Sequence, residues 1–277
     1  MSALLQVSRL SKHFRGLTAV ADVSFSVAAG SVHGLIGPNG AGKTTLFNLI
    51  SGLTPCDDGR ILFDGCEIAG LPVHARAGLG IARTFQNIRM FDDMSVLETV
   101  AAGAHARLTA PLWHCLLNLP RYRAEERAAA TEALELLEFV GLADRAGERA
   151  GDLAYGEQRR LEIARGLAAR PRLLLLDEPA AGMNPHETAD LARLLRRVRT
   201  RGVTLLLVEH DMGFVMDLCE HLTVLNFGRR IAGGTPAEVR ADPAVIEAYL
   251  GTKAAARLGK PHAVCAETET ARREAGR

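Results

Sequence analysis

Residues 37–45 read Gly-Pro-Asn-Gly-Ala-Gly-Lys-Thr-Thr, which satisfies every fixed position of the pattern G-x-x-x-x-G-K-[ST]. The apolar run from Val32 to Ile36 precedes this stretch and predicts a buried strand, and Leu46, Leu49 and Ile50 follow it at helical spacing. A strand, a glycine-rich loop and a helix in this order aim backbone N–H groups and the positive end of a helix dipole at one point. The stretch therefore predicts a loop that binds a nucleoside triphosphate.

The loop residues have distinct expected roles. Glycines allow the tight turn, Lys43 is expected to reach the β- and γ-phosphates, and the Thr44 hydroxyl is expected to ligate Mg²⁺. The nucleotide contacts predicted in this loop are Gly37, Pro38, Asn39, Gly40, Ala41, Gly42, Lys43, Thr44 and Thr45.

Composition limits the classes of protein that this chain can belong to. Its 277 residues allow one large domain or two small ones, and a net charge of +1 gives no reason to expect a nucleic acid partner. The five cysteines form no Cys-x-x-Cys pair, which favours a reducing cytosol. We find no signal-peptide core, and the longest apolar runs have the length of a strand, so a membrane role is expected to act through a partner.

Strands alternate with helices along the chain, which predicts a parallel α/β core. Strands are expected at 19–27, 32–36, 60–63, 172–176, 203–208 and 222–225, with helices at 186–199 and 211–219. Residues 95–140 indicate helices interrupted around Pro111 and Pro120, and a helical subdomain is expected to be inserted at about 92–168. One domain is predicted over 1–251, followed by a poorly ordered tail over 252–277.

Two carboxylates follow the apolar strand that begins at Leu173. Asp177 ends this strand and is expected to hold Mg²⁺, and Glu178 is placed to accept a proton from the water that attacks the γ-phosphate. The strand at 203–208 ends in the same way at Glu209 and His210, and His210 is expected to donate a hydrogen bond to the γ-phosphate. The sequence therefore predicts a hydrolytic site.

The stretch Leu153-Ala-Tyr-Gly-Glu-Gln-Arg-Arg-Leu-Glu-Ile-Ala-Arg165 lies just before the Asp177 strand. Gly156 is a suitable helix start. One apolar face follows along the predicted helix, formed by Leu161, Ala164, Leu167 and Ala168.

In this order, these motifs resemble the ATPase subunits of ATP-binding cassette (ABC) transporters, over residues 4 to about 251. The resemblance implies an α/β fold: a P-loop NTPase (RecA-like) core with an antiparallel β subdomain and an inserted α-helical subdomain. It implies ATP and Mg²⁺ as ligands, and adenine stacking on Phe14, which by itself is equally compatible with the core. Gln86, within Arg83-Thr-Phe-Gln86, would touch the metal and the attacking water and link the site to membrane subunits.

Residues 153–157 correspond to the family's signature segment, generally Leu-Ser-Gly-Gly-Gln, so Tyr155, Gly156 and Glu157 are expected to contact nucleotide. The segment departs from the family pattern. Ala154 replaces a serine that would donate to a γ-phosphate, so that bond cannot be transferred to this chain. The first backbone N–H groups of the helix remain as donors.

Finer motifs are similar to one branch, the branched-chain amino-acid (LIV-type) importers, and to the larger of their two ATPase subunits. They are Arg83–Phe91, the insert around 104–123, Ala180–Pro185 and the ending from Gly234 to Gly251. This similarity implies two transmembrane permease subunits, a second and non-identical ABC ATPase, and indirectly a substrate-binding protein. It also implies a peripheral location on the cytoplasmic face of the inner or plasma membrane.

Other functions stay open at this point. A related ATPase could serve urea, short amides or lipopolysaccharide export, and a non-transport ABC protein is a more distant alternative. A simple P-loop kinase or GTPase would lack the signature helix and His210. The segment from Pro111 to Leu119 could lie on a membrane, although a helix covering the insert suits its length better.

Overall fold

The computed structural model describes residues 3–84, 93–107 and 119–250. The predictions for Gln86, for most of the segment from Pro111 to Leu119 and for the tail at 252–277 lie outside the described residues.

The central element is a sheet with the strand order β10-β9-β3-β8-β7-β6. Its strands are β3 (Val32–Ile36), β6 (Ile81–Arg83), β7 (Leu173–Asp177), β8 (Thr204–Val208), β9 (His221–Asn226) and β10 (Arg229–Gly234). All neighbouring pairs are parallel except β9 and β10. β3, β7 and β8 are buried along their whole length, as expected for strands covered on both faces. The predicted parallel α/β core is confirmed.

A second sheet is antiparallel and has the order β2-β1-β4-β5. Its strands are β1 (Ala3–Phe14), β2 (Leu17–Ala28), β4 (Asp58–Phe63) and β5 (Cys66–Glu67). Side chains of β1, β2 and β4 share one apolar core with the first helix and one face of the parallel sheet, with Phe25, Phe47 and Leu206 among its members. The expected antiparallel β subdomain is therefore present.

The helices are α1 (Lys43–Ser51), α2 (Val73–Gly78), α3 (Val96–Gly103), α4 (Pro120–Val140), α5 (Tyr155–Ala168), α6 (Pro185–Thr200), α7 (Met212–Leu218), α8 (Pro236–Ala241) and α9 (Pro243–Leu250). In the chain, α3, α4 and α5 lie between β6 and β7, where the inserted helical block is expected. Pro120 is the first residue of α4, a position where its missing N–H costs nothing.

The helix predicted to start at Gly156 begins one residue earlier, at Tyr155, with Ala154 as its N-cap. The predicted apolar face of this helix is buried in the larger core, which also contains residues of α3, α4, β7 and β8. Among the described residues, no helix combines the length and the apolar character that crossing a membrane requires.

Candidate nucleotide-binding site

The loop between β3 and α1 has a backbone that only glycine can follow at two points. Gly37 and Gly42 have φ of 150° and 98°. A Cβ on Gly37 would lie 2.1 Å from the Leu225 carbonyl oxygen, and one on Gly42 would lie 2.4 Å from the Ala19 carbonyl oxygen. The loop backbone therefore lies too close to β9 and β2 for a Cβ at either position. This close packing fixes the direction in which the N–H groups of the loop point.

Lys43 is the first residue of α1, and its ammonium group lies against this loop. Nζ donates to the carbonyl oxygens of Gly37 and Pro38, at 2.6 and 2.9 Å. Burial lowers the pKa of Lys43, while the carboxylates of Glu178 and Asp177 act in the opposite direction. A buried cation with these acidic neighbours lies where the sequence pattern expects phosphate.

An open groove of about 770 Å³ runs along the outer side of the loop. Phe14 and Glu178 line it together with the loop, so three parts of the chain that were predicted separately lie around one groove. The groove is lined by Phe14, Leu17, Thr18, Ala19, Asn39, Gly40, Ala41, Gly42, Lys43, Thr44, Thr45, Glu178, Phe227 and Gly228. Phe14 is 45% exposed, so it is not a core residue.

Asp177 lies buried at the end of β7 and is paired with an arginine. Arg83 Nη2 donates to Asp177 Oδ2 at 2.8 Å, while Nη1 of the same guanidinium donates to Asn48 Oδ1 at 2.7 Å and Ser51 Oγ at 2.9 Å. Burial raises the pKa of Asp177, and the Arg83 hydrogen bond opposes that rise. Arg83 thus joins β6, β7 and α1. The sequence motifs that contain Arg83 predicted no role for its own side chain.

Glu178 has an unusual backbone conformation. Its φ is 47°, in the left-handed region that a residue with a side chain seldom occupies, and its N–H donates to the Val208 carbonyl oxygen at 2.9 Å. Such strain concentrates at functional sites. Glu178 Oε1 lies 3.9 Å from His210 Nδ1, so the structure also brings the ends of β7 and β8 together.

Glu209 is a second residue for which no role was predicted from the sequence. It is buried, and its carboxylate accepts from the N–H groups of Ala180, at 2.7 Å, and His210, at 3.1 Å. Burial raises the pKa of Glu209, and these hydrogen bonds oppose the rise. Glu209 therefore ties the loop after Glu178 to the backbone that carries His210. The sequence signal that could have indicated this role was a charged residue at the end of an apolar strand.

The signature segment does not line this groove. Ala154, Gly156 and Glu157 line a separate small cavity with α6. The Glu157 carboxylate accepts from the Ala154 N–H at 3.0 Å and from Arg145 at 3.2 Å, so it caps its own helix. The exposed Tyr155 accepts from Arg159 at 3.0 Å through its hydroxyl. Within one chain, the structure thus keeps the signature segment and the nucleotide groove apart.

The oxygen donors at the groove fit Mg²⁺. Thr44 lines the groove, and the carboxylate of Asp177 acts electrostatically on Lys43 from the neighbouring strand end. Among the described residues there is no cluster of three or more His, Cys, Asp or Glu side chains that would hold a metal alone. Mg²⁺ is typically held by few protein oxygens together with water and substrate phosphates, so this sparse set of hard donors is suitable.

Two sequence-family models match the chain. Residues 20–181 match the family described as ABC transporter, and residues 229–255 match the family described as branched-chain amino acid ATP-binding cassette transporter.

Curated relatives match the chain over almost their full length. The high-affinity branched-chain amino acid transport ATP-binding protein BraF of Pseudomonas aeruginosa is 48% identical over 90% of this chain and 98% of BraF. The LivG protein of Escherichia coli K12, with the same description, is 43% identical over the same shares. The lipopolysaccharide export ATP-binding protein LptB of the same organism is 38% identical over 90% of this chain and 98% of LptB.

Among solved structures, the ADP conformation of MJ1267, an ATP-binding cassette of an ABC transporter, superposes with a TM-score of 0.80 at 32% identity. The match covers 91% of this chain and 100% of that one.

Proposed function

The chain belongs to the ABC transporter family, and from that premise we propose that it is the ATP-hydrolysing subunit of an importer for branched-chain or related amino acids. The observation that carries the proposal is the groove that joins the phosphate-binding loop, Phe14 and Glu178. Its loop offers N–H donors to a polyphosphate, and the Glu178 carboxylate lines the same groove. This arrangement suits hydrolysis of a bound triphosphate.

Catalysis at this site would depend on positioning and charge. The loop N–H groups and Lys43 would hold the phosphates, and Phe14 would stack on adenine. Thr44 and Asp177 would hold Mg²⁺, which when bound neutralises charge on the β- and γ-phosphate oxygens. Glu178 would accept a proton from the attacking water. His210, with its backbone fixed by Glu209, would donate to the γ-phosphate. Gln86 is assigned to the metal and water by resemblance alone.

The signature segment would act on the nucleotide of a second ATPase subunit. This proposal is supported by its position, since residues 154–157 lie outside the groove of their own chain. Tyr155 and Gly156 are the first two residues of α5, where N–H groups lack partners inside the helix, while the Glu157 N–H donates to the Ala154 carbonyl oxygen at 2.9 Å. Binding of ATP would close the pair and hydrolysis would open it. Permease subunits would receive this motion at the cytoplasmic face of the membrane, and a substrate-binding protein would deliver the cargo.

The choice of cargo is supported by the relatives. BraF and LivG, both described as branched-chain amino acid transport proteins, are more similar to this chain than LptB is. The model matched at residues 229–255 belongs to the same transport class. Lipopolysaccharide export and the transport of urea or short amides are therefore the less supported alternatives, and a non-transport ABC protein is less supported still.

Reconstitution of the whole complex tests the proposal. The chain would be purified with its permeases, its second ATPase and its binding protein, and ATP hydrolysis and uptake of leucine and of urea would be measured. We expect leucine to be transported and to stimulate hydrolysis. Lys43→Ala should lose ATP binding, because it removes the cation that faces the phosphates. Normal hydrolysis with this variant would refute the assignment of the nucleotide site. Transport of urea alone would refute the assignment of the cargo.

A further inference from the structure

Phe227 is the most exposed large apolar residue in the described part of the chain. Its side chain is 86% exposed, and it lies in the turn between β9 and β10. Asn226 pairs with Arg229, so Phe227 and Gly228 are the two turn residues. Their φ values are 45° and 75°. Phe227 therefore exposes an aromatic ring to water while holding a backbone conformation that glycine, asparagine and aspartate tolerate best.

Two other hairpins of the chain have the same two-residue construction. Arg15-Gly16 joins β1 to β2 with φ of 43° and 92°, and Asp64-Gly65 joins β4 to β5 with φ of 50° and 79°. Asp-Gly is one of the pairs preferred in two-residue turns with positive φ at both residues. At the same turn position, the largely exposed Phe227 gives little packing to the fold, and its left-handed backbone is strained. The requirements of the fold therefore do not account for Phe227.

The turn is fixed beside the phosphate-binding loop. The Gly228 N–H donates to the Ala41 carbonyl oxygen at 3.0 Å, and the Gly228 carbonyl oxygen accepts from the Ala21 N–H at 2.8 Å. These bonds join the turn to the loop and to β2. Phe227 consequently lines the same groove as Phe14 and Leu17, which flank the β1–β2 turn and are 45% and 68% exposed.

We propose that Phe227 is a second contact for the base of the bound nucleotide, in addition to Phe14, in the groove that both side chains line. This inference rests on the proposed function, since it concerns the same groove. The phosphates of a nucleotide are held by the loop, so its flat apolar base is the part that reaches an apolar rim. Phe227 also lines a cavity of about 460 Å³ on the other side of the turn, with residues of α9. A partner protein that binds in this second cavity would also explain the exposed ring, so the experiment must distinguish base binding from partner binding.

The test compares Phe227→Asn with Phe227→Tyr in the purified chain, with Leu134→Ala as a control that removes a different exposed apolar side chain. Dissociation constants would be measured for ATP and for inorganic triphosphate, which has no base. We expect Phe227→Asn to bind ATP about fivefold or more weakly, the lower range for loss of a base–aromatic contact, and to bind triphosphate as the wild type does. Phe227→Tyr should retain ATP affinity. Phe227→Asn should also unfold at a higher temperature, because asparagine suits the turn.

Three results would overturn the inference. One is unchanged ATP affinity in Phe227→Asn. If ATP affinity is unchanged and only ATP-dependent association with a second ATPase is weakened, the ring contacts that partner and not the base. Another is an equal loss of ATP and triphosphate affinity, which would mean that the substitution distorts the loop. The third is a loss of ATP affinity in Phe227→Tyr as large as in Phe227→Asn. Failure of the wild-type chain to bind ATP would instead refute the proposed function itself.

Discussion

Arg83 and Asp177 are 94 residues apart in the chain, yet they form a buried ion pair in which Nη2 donates to Oδ2 at 2.8 Å. The same guanidinium reaches Asn48 and Ser51 on α1. The carboxylate proposed to hold the metal is thus connected to the helix that follows the phosphate-binding loop and to the strand that leads to Gln86. Arg83 therefore links β6 to the end of β7 and to α1 at the nucleotide site.

Replacement of Arg83 should destabilise the protein strongly. Arg83→Met leaves the buried Asp177 carboxylate without its hydrogen-bonded cation, and breaking such a pair typically costs about 3–5 kcal/mol. The loss should grow as the pH rises. Without Arg83 the folded-state pKa of Asp177 rises further above its unfolded value, so the folded state binds more protons and loses stability on deprotonation. Chemical denaturation at pH 5 and pH 7.5 measures both effects, with the exposed Arg240→Met as control. Equal losses in the two variants would contradict the role of the pair.

Replacement of Glu178 should separate binding from chemistry. Glu178→Gln keeps the size of the side chain but cannot accept a proton, so ATP should bind normally while hydrolysis falls on the order of 10²–10⁴-fold. Nucleotide titration and single-turnover hydrolysis measure the two quantities, and the exposed Glu135→Gln on α4 is the control. Hydrolysis at the wild-type rate in Glu178→Gln would exclude Glu178 as the base.

The buried His33 should make stability depend on pH in the acid range. Burial, followed by the charges of His221 and Arg230, lowers the pKa of His33 from 6.5 to about 3. Between these values the unfolded chain binds a proton that the folded chain does not, so stability should fall as the pH drops below about 6.5, by up to about 1.4 kcal/mol per pH unit. His33→Gln should flatten this dependence, as measured by denaturation from pH 7 to pH 4. The exposed His186→Gln should not, and an unchanged slope in His33→Gln would contradict the assignment.

Local patterns predicted much of this molecule. The loop, β3 and α1 are contiguous in sequence, so their apolar spacing and glycines suffice to place them. The strands β7 and β8 were predicted for the same reason, because uninterrupted leucines indicate burial on both faces. The start of α5 was misplaced by one residue because glycine is a common helix boundary. Here the Glu157 carboxylate caps the N–H of Ala154 instead, which starts the helix at Tyr155.

Contacts between distant segments were not predictable in this way. Nothing near Arg83 in the sequence indicates that its partner is Asp177, and the role of Glu209 depends on its reach to Ala180 across two strand ends. The left-handed conformation of Glu178 is likewise set by the surrounding structure and by no local pattern. The sequence predicted the loop, Phe14 and Glu178 as parts of one site, whereas the other residues that line the groove and the groups that hold them in place required the three-dimensional structure.

The last prediction is that this subunit works beside a different ATPase. The LIV-type systems it resembles pair two non-identical ATPases, and the groove with Lys43 and Glu178 contains no residue of its own signature segment among the described ones. A second chain would have to supply that segment, and a partner with a serine where this chain has Ala154 would make the two ATP sites chemically unequal. Without ATP the isolated chain should be largely monomeric, because ATP binding favours the associated state that it bridges. Native mass measurement of the intact complex tests this: two copies of this chain without a second ATPase would refute the unequal pair.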